Sequence, residues 1–344
     1  MKITFLRQYK TAFGGAENYL ARLCTELEKQ HISYEIMHAY APKFFASWIK
    51  ALLFNLQVRW LKNDKFYFSL ERITCPDIYR AGDGVHKVYI RHKQRRFSFN
   101  LLNYVYCYLE KRCFENAKHI IANSHFIEQQ IIETYHIAPS KISVVYNGIP
   151  LPKPFCKNEC TQALLKAFGY DTTLPVILFV GSGFERKGVK EALQTLSHIK
   201  TPFHAFIVGK EKNIDTYKTF AAQLGLSSCV TFTGPRKDAP MFYKGSDIFL
   251  FPTHYEPFSN VVLEAMSYAN VVFTTAQNGA SEILESRFVM NTPQDVSIIE
   301  TLDTLLLDKE FLEKEQEKNY RHAQTFSIEN NVKQTLEVIH AHLH

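Results

Sequence analysis

Short runs rich in Val, Ile and Phe recur along the chain with little polar alternation. In the first half these are "KITFL", "SYEIMHA", "KHIIANS" and "KISVVYN"; in the second, "PVILFVG", "FHAFIVG", "CVTFTG", "DIFLFP" and "NVVFTTA". A strand with one face in water alternates apolar and polar residues, whereas one covered on both faces does not, so these runs predict parallel sheets. Helical patterns such as 16–30 and 98–117 separate them. The fold class that follows is α/β, with two doubly wound parallel-sheet domains. The proline-bearing stretch "NGIPLPKPF" reads as the linker, which divides the chain into residues 1–150 and 151–325. A last helical pattern, within 326–344, comes after the second sheet is complete and is expected to pack back on the first domain.

A chain of 344 residues, 46% of them hydrophobic, is long enough for two cores. No apolar run approaches the roughly 18 residues of a membrane-spanning helix, and the opening "ITFL" is too short for a secretory signal, so the cytoplasm is the expected compartment. The seven cysteines include no C-x-x-C pair; Cys107 with Cys113 and Cys156 with Cys160 are the closest, and all are read as reduced thiols. The histidine-rich "HAHLH" at the end is read as a frayed terminus and not as a metal site.

Charge changes the picture of the first half. Residues 1–150 carry 21 Lys and Arg against 12 Asp and Glu, a net of +9, which leaves −3 of the total of +6 for the remainder. Within residues 86–112, Lys87, Arg91, Lys93, Arg95 and Arg96 are interleaved with Tyr89, Phe97, Phe99, Tyr104 and Tyr106. Such a segment, and 87–96 above all, suits an anionic membrane surface, where each cation contributes about 1 kcal/mol and aromatic rings rest at headgroup level. A solvated basic loop followed by a core helix accounts for the same residues. No groove-reading motif accompanies the charge, so nucleic acid is not an expected partner.

In open parallel sheets ligands bind at the carboxyl ends of the strands, and four motifs lie there. After the first strand, Gly14 and Gly15 precede a helix whose free amides favour phosphate; a plain tight turn is the alternative. In "GSGFERKGV", Arg186 and Lys187 stand before Gly188 and a helix, placed to neutralise a diphosphate. In "THYEPFSNVVLEAMSYA", Glu256 leaves a buried strand on a loop and Ser259 suits the helix N-cap. Glu264 then falls inside an apolar helical run, where a carboxylate is costly unless bonded; its acceptor oxygens suit the paired hydroxyls of a ribose, and an exposed helix position is the alternative. In "YRAGDGVHK", Asp83 and His86 occupy a glycine-rich loop, either as acceptor-side polar groups or as a turn Asp and a surface His.

Taken in order, Glu256-x7-Glu264, "GGAE", "VVYNGI" and "NGASEI" resemble the retaining nucleotide-sugar glycosyltransferases of family 4, which have the GT-B fold of two Rossmann-like domains facing a cleft. "GSGFERKGV" and the basic aromatic stretch most resemble the lipopolysaccharide core glucosyltransferase I subgroup. The resemblance implies that Glu264 binds the nucleotide ribose and Glu256 the donor sugar. It puts Arg186 and Lys187 on the diphosphate, with Gly14, Gly15, Phe258, Ser259 and Asn260 completing the donor site, and Asp83 and His86 near donor sugar and acceptor. The implied partners are a nucleotide-sugar donor, UDP-glucose by first choice, and a glycolipid or oligosaccharide acceptor; galactose, a hexosamine or a heptose stay open. Two positions depart from the family pattern, Ser182 where arginine is frequent and Ser259 where glycine is usual. No carboxylate is placed as a nucleophile and no DxD pair is present, so front-face displacement without metal or other cofactor is the expected mechanism, peripheral to the inner face of the membrane. A GT-B nucleotide-sugar epimerase and a non-catalytic binding subunit are the alternatives.

Overall fold

The computed structural model describes residues 2–9, 15–40, 42, 44–92 and 100–343. Gly14, Lys93, Arg95, Arg96, Phe97 and Phe99 therefore lie outside the described residues. The chain forms two compact units, Met1–Gly148 with Ile328–His344, and Ile149–Ser327.

The first unit runs β1 (Ile3–Leu6), α1 (Gly15–Lys29), β2 (Tyr34–Met37), α2 (Ser47–Trp60), β3 (Phe66–Ser69), β4 (Ile78–Ala81), α3 (His86–His92), α4 (Leu101–Asn116), β5 (His119–Ala122), α5 (His125–Tyr135) and β6 (Ile142–Val144). The second runs α6 (Lys157–Ala167), β7 (Val176–Val180), α7 (Phe184–Lys187), α8 (Val189–Ser197), β8 (His204–Val208), α9 (Ile214–Gln223), β9 (Val230–Gly234), α10 (Ala239–Lys244), β10 (Ile248–Phe251), α11 (Asn260–Ser267), β11 (Val271–Thr275), β12 (Val289–Met290), α12 (Ile299–Leu307) and α13 (Lys309–Ala323). The last helix, α14 (Ile328–Ala341), sets Val332, Leu336 and Ile339 into the first unit's core beside Leu20, Leu23 and Leu27 of α1.

Each unit holds one parallel sheet, in the orders β2-β1-β3-β4-β5-β6 and β12-β11-β10-β7-β8-β9. The continuous apolar runs are buried throughout in β1, β5, β8, β10 and β11, as strands covered on both faces must be. β3, β4 and β12 fall outside the expected runs; in β4, IYRA, an arginine interrupts the apolar residues. β3 is a four-residue aromatic stretch, FYFS, without Val or Ile, and the two-residue β12 is too short to show a period.

In the second sheet β7 and β10 are neighbours, with Ile177 beside Ile248 and Leu178 beside Phe249. From β7 the chain winds outward through β8 and β9, and from β10 the other way through β11 and β12. Loops leaving adjacent strands in opposite directions open a crevice at their carboxyl ends, the usual ligand position in such sheets.

In the first unit a buried carboxylate fixes the loop after β4. Glu110 of α4 is fully buried and accepts from Arg72 Nε at 3.0 Å, the Tyr135 hydroxyl at 2.7 Å, and the backbone amides of His86 at 2.6 Å and Lys87 at 3.1 Å. Four donors satisfy a charge that would otherwise be prohibitive inside a protein. Glu110→Ala strands the nearly buried Arg72 and two helix amides, and should lower the stability of this unit by about 3–5 kcal/mol, read as a fall in its urea midpoint. Glu110→Gln, which keeps the shape, should recover part of that loss.

Candidate active site

After β7 the chain turns through Gly181, Ser182 and Gly183 into the single turn of α7. Ser182 accepts the Lys210 amide on its Oγ at 3.1 Å, and Glu211 Oε2 accepts the Phe184 amide at 3.0 Å. Phe184 is fully buried, edge-on to Phe179 and Tyr217, and anchors the turn so that Arg186 and Lys187 follow at a fixed height. The position where arginine is frequent in the resembled family thus holds a loop-tying hydroxyl, and Arg186 is the nearest guanidinium in sequence.

The loop after β10 is sewn to α7. The Thr253 hydroxyl and the His254 amide both donate to the Arg186 carbonyl, at 3.1 and 3.0 Å. His254 Nε2 lies 3.0 Å from Glu191 Oε1, a hydrogen bond that raises the imidazole pKa. Next comes Glu256, 8% exposed, whose Oε1 contacts both Arg186 Nη1 and Lys187 Nζ; Arg186 also donates to the Tyr255 carbonyl at 3.1 Å. Burial and the adjacent Arg186 lower the Lys187 ammonium to about 7, and the Glu256 carboxylate against it acts in the opposite direction. Lys187 also lies over the Phe251 ring, 4.9 Å from its centroid.

The backbone of Glu256 is held by the loop that leaves β11, the strand beside β10. Its amide donates to the Gln277 carbonyl and its carbonyl accepts from Gly279, both at 3.0 Å. Asn278 between them is fully buried: its Oδ1 accepts from the amides of Ser259 at 3.3 Å and Ala280 at 3.1 Å, and its Nδ2 donates to Thr274 Oγ1 at 3.0 Å. Ser259 stands at the N-cap of α11, but its hydroxyl caps no amide and, although buried, has no hydrogen-bond partner among the described residues. The expectation of a capping serine therefore holds for position and not for bonding: the Val262 amide donates to the Ser259 carbonyl at 3.1 Å and not to its hydroxyl.

The structure thus brings Arg186, Lys187 and Glu256 into one cluster, with Phe258, Ser259 and Asn260 following on the same loop and helix mouth. Glu264 lies on α11, half-buried, accepting from the Tyr243 hydroxyl at 3.1 Å; Tyr243 in turn stacks on Tyr268 with ring centroids 5.7 Å apart. Burial and then Glu264 raise the Tyr243 pKa, which keeps this phenol a donor. In the first unit Asp83 is exposed in the turn after β4, and His86 opens α3 with Nε2 3.3 Å from Asn103 Oδ1 and its ring edge-on to Tyr106. Burial and the nearby Arg72 lower the His86 pKa. Gly15 opens α1. Sequence reasoning missed Asn278, although it opens the quoted "NGASEI", and also Thr253, Tyr243 and Glu110, which are short or buried polar groups outside any run.

The model of the family described as "Glycosyl transferases group 1" matches residues 162–323, and that of "Glycosyltransferase Family 4" matches residues 13–152. The lipopolysaccharide glucosyltransferase WaaG of Escherichia coli is 24% identical over 215 residues, 59% of this chain and 56% of that protein. The chain spans about half the length of the curated relatives it matches. In fold it is similar to the crystal structure of WaaG, a glycosyltransferase involved in lipopolysaccharide biosynthesis, with a TM-score of 0.79, 19% identity, and coverage of 98% of this chain and 99% of that one. It is also similar to Anabaena HepE in complex with UDP and glucose, with a TM-score of 0.74, 20% identity, and coverage of 99% and 100%.

The approach of α7 to the β10 loop depends on Gly188. Its φ is +80°, and a Cβ there would sit 1.8 Å from the Pro252 carbonyl oxygen. Gly183, at φ +77°, opens onto free space, and a Cβ there would meet no atom within 4 Å. Gly188→Ala should therefore cost about 2–4 kcal/mol, left-handed strain plus overpacking, while Gly183→Ala costs about 1–2 kcal/mol from strain alone. Thermal unfolding of the two variants side by side measures the difference.

Proposed function

The chain belongs to the family 4 glycosyltransferases of GT-B fold, and from that premise we propose that it moves glucose from UDP-glucose to a glycolipid of lipopolysaccharide-core type, with retention at the anomeric carbon. The observation that carries this reading is the pair of cations closed on one carboxylate where the β7 and β10 loops meet. WaaG acts on lipopolysaccharide by its name, and HepE is solved with UDP and glucose; both support the choice of donor and acceptor class.

In this reading Arg186 and Lys187 neutralise the donor diphosphate, and the unpartnered Ser259 hydroxyl and the first amides of α11 complete its anion site. Glu264, steadied by Tyr243, accepts from the ribose hydroxyls, and Glu256 accepts from the sugar. In the unliganded site Glu256 is itself the counter-ion of both cations, so the diphosphate must displace it. The bond from anomeric carbon to phosphate oxygen breaks as the acceptor oxygen attacks from the same face, and the departing phosphate takes the acceptor proton. No metal enters this scheme. Asp83 and His86 face the acceptor, with His86 kept neutral by burial. The basic segment 87–96 holds the enzyme peripherally on the cytoplasmic face of an anionic membrane.

A GT-B epimerase would convert the donor alone, so product formed from UDP-glucose without acceptor is the outcome that would replace this reading. Lys187→Ala should lower turnover about 100-fold or more with unchanged thermal unfolding, measured as acceptor-dependent UDP release; near-normal turnover would remove the mechanism.

The Lys187 pKa of about 7 sets a pH dependence. Above that pH free Lys187 is largely neutral, while a bound diphosphate favours the ammonium. Binding then takes up a proton, and UDP affinity should fall as pH rises above 7. Calorimetry in two buffers of different ionisation enthalpy should show this uptake in the wild type and its loss in Lys187→Ala.

A further inference from the structure

The first sheet contains the same reversal of direction as the second. Its order runs β2-β1-β3-β4, so the chain leaves β1 for β2 on one side and returns to β3 on the other, with Leu6 beside Ser69 at the carboxyl ends. A crevice is expected where such strands diverge, and here it is lined by residues that belong to no motif. Gln8 follows β1 and Glu71 follows β3; Glu71 Oε1 accepts the Gln8 amide at 3.1 Å and Arg7 Nη1 at 2.6 Å. With Arg72, Tyr106 of α4, and Ala51 and Phe54 of α2, Gln8 and Glu71 line a cavity about the size of one hydroxyl group.

The side-chain amide of Gln8 is the unsatisfied group of this cavity. Gln8 is 5% exposed, and its Nε2 has no hydrogen-bond partner among the described residues. A buried donor left in that state costs stability, so it calls for an acceptor that arrives from outside. Glu71, also on the cavity wall, is a carboxylate and only accepts. A group placed between the two must therefore donate to Glu71 and accept from Gln8. A hydroxyl does both, whereas a phosphate only accepts and meets the Glu71 charge, and an ammonium only donates and leaves Gln8 unpaired. The nearby guanidiniums do not invite an anion, because Arg7 is bonded to Glu17 and Glu71, and Arg72 to Glu110.

The cavity also adjoins the loop after β4. Burial raises the Glu71 pKa, Arg7 and the Gln8 amide oppose that rise, and Asp83 adds to it, which puts Asp83 within electrostatic reach. His86 lies edge-on to Tyr106 with ring centroids 5.2 Å apart. From this pairing of donor and acceptor we propose that the cavity is a subsite for one hydroxyl of an uncharged sugar of the acceptor, held by Gln8 Nε2 and Glu71, and that it refuses a phosphate-bearing sugar. The proposal rests on the glycosyl-transfer reading only in assigning that sugar to the acceptor.

The probe is lipopolysaccharide core oligosaccharide freed of its acyl chains, with and without removal of its phosphates by hydrofluoric acid. Gln8→Met keeps the length of the side chain and deletes the unsatisfied donor. Its thermal midpoint should stay level or rise, and its UDP affinity by calorimetry should match the wild type. Its KM for the dephosphorylated oligosaccharide should increase about three- to tenfold with kcat held, and saturation-transfer NMR without donor should show the same weakening of binding. Glu71→Gln should reduce the preference for the dephosphorylated form about tenfold. The proposal is overturned if the wild type gives no saturation transfer to the oligosaccharide, if it takes both forms equally, or if Gln8→Met binds as the wild type does. An equal loss of UDP and oligosaccharide affinity in Gln8→Met also overturns it, since Gln8 would then act on the fold. If UDP release never depends on the oligosaccharide while Gln8→Met still weakens its binding, the subsite stands and the proposed reaction falls.

Discussion

The adjacency of β7 and β10 is the constraint on which the site depends. Two parallel strands that sit side by side, but are separated by two further strands in sequence, must send their exit loops away in opposite directions. The loop that carries Arg186 and Lys187 and the loop that carries Glu256 consequently start a few ångströms apart although some 70 residues separate them along the chain. Everything local then serves to keep that approach close. Thr253 and His254 bond the Arg186 carbonyl, Gly188 leaves room for Pro252, and buried Asn278 holds the second loop from behind.

Such closeness creates an electrostatic imbalance. Two cations and one carboxylate sit together with Lys187 and Glu256 largely removed from water, leaving a net positive site that one carboxylate alone does not neutralise. Pairing with Glu256 reduces the cost of burying Lys187, while burial and the adjacent Arg186 lower its pKa. An incoming diphosphate would bring more negative charge than Glu256 supplies, and the cations are already oriented to receive it. Catalytic sites that stabilise a leaving anion gain from such fixed, partly desolvated charge because nothing need reorganise during the reaction.

How much of this was legible depends on whether a residue announces itself by pattern. The buried strands did, because parallel sheets demand unbroken runs of Val, Ile and Phe; FYFS of β3 did not, since three aromatics and a Ser without Val or Ile suit several states. Arg186, Lys187 and Glu256 were readable as charged residues at strand ends, and their contact required only the sheet order. Glu256 was placed on a loop at the end of a buried strand, and its burial was not readable because the sequence does not reveal which counter-ions close on it. Asn278 and Glu110 were invisible as anchors. A buried polar group is recognised by its donors, and those come from positions up to 38 residues away. Ser259 shows the converse, since a residue in the right place for a cap can leave the helix amide to its own carbonyl, as Val262 shows.

In the first unit α4 joins two roles that the sequence presents as one basic aromatic stretch. Leu109, Glu110, Cys113 and Phe114 turn inward, while Leu101, Tyr104 and Tyr108 turn outward. Its inward face grips the loop bearing Asp83 and His86 through the Glu110 bonds to the His86 and Lys87 amides. The outward face shares the surface that α2 presents. A helix is stiff over this length, so the outer aromatics and the inner carboxylate that holds the His86 loop keep a fixed spacing.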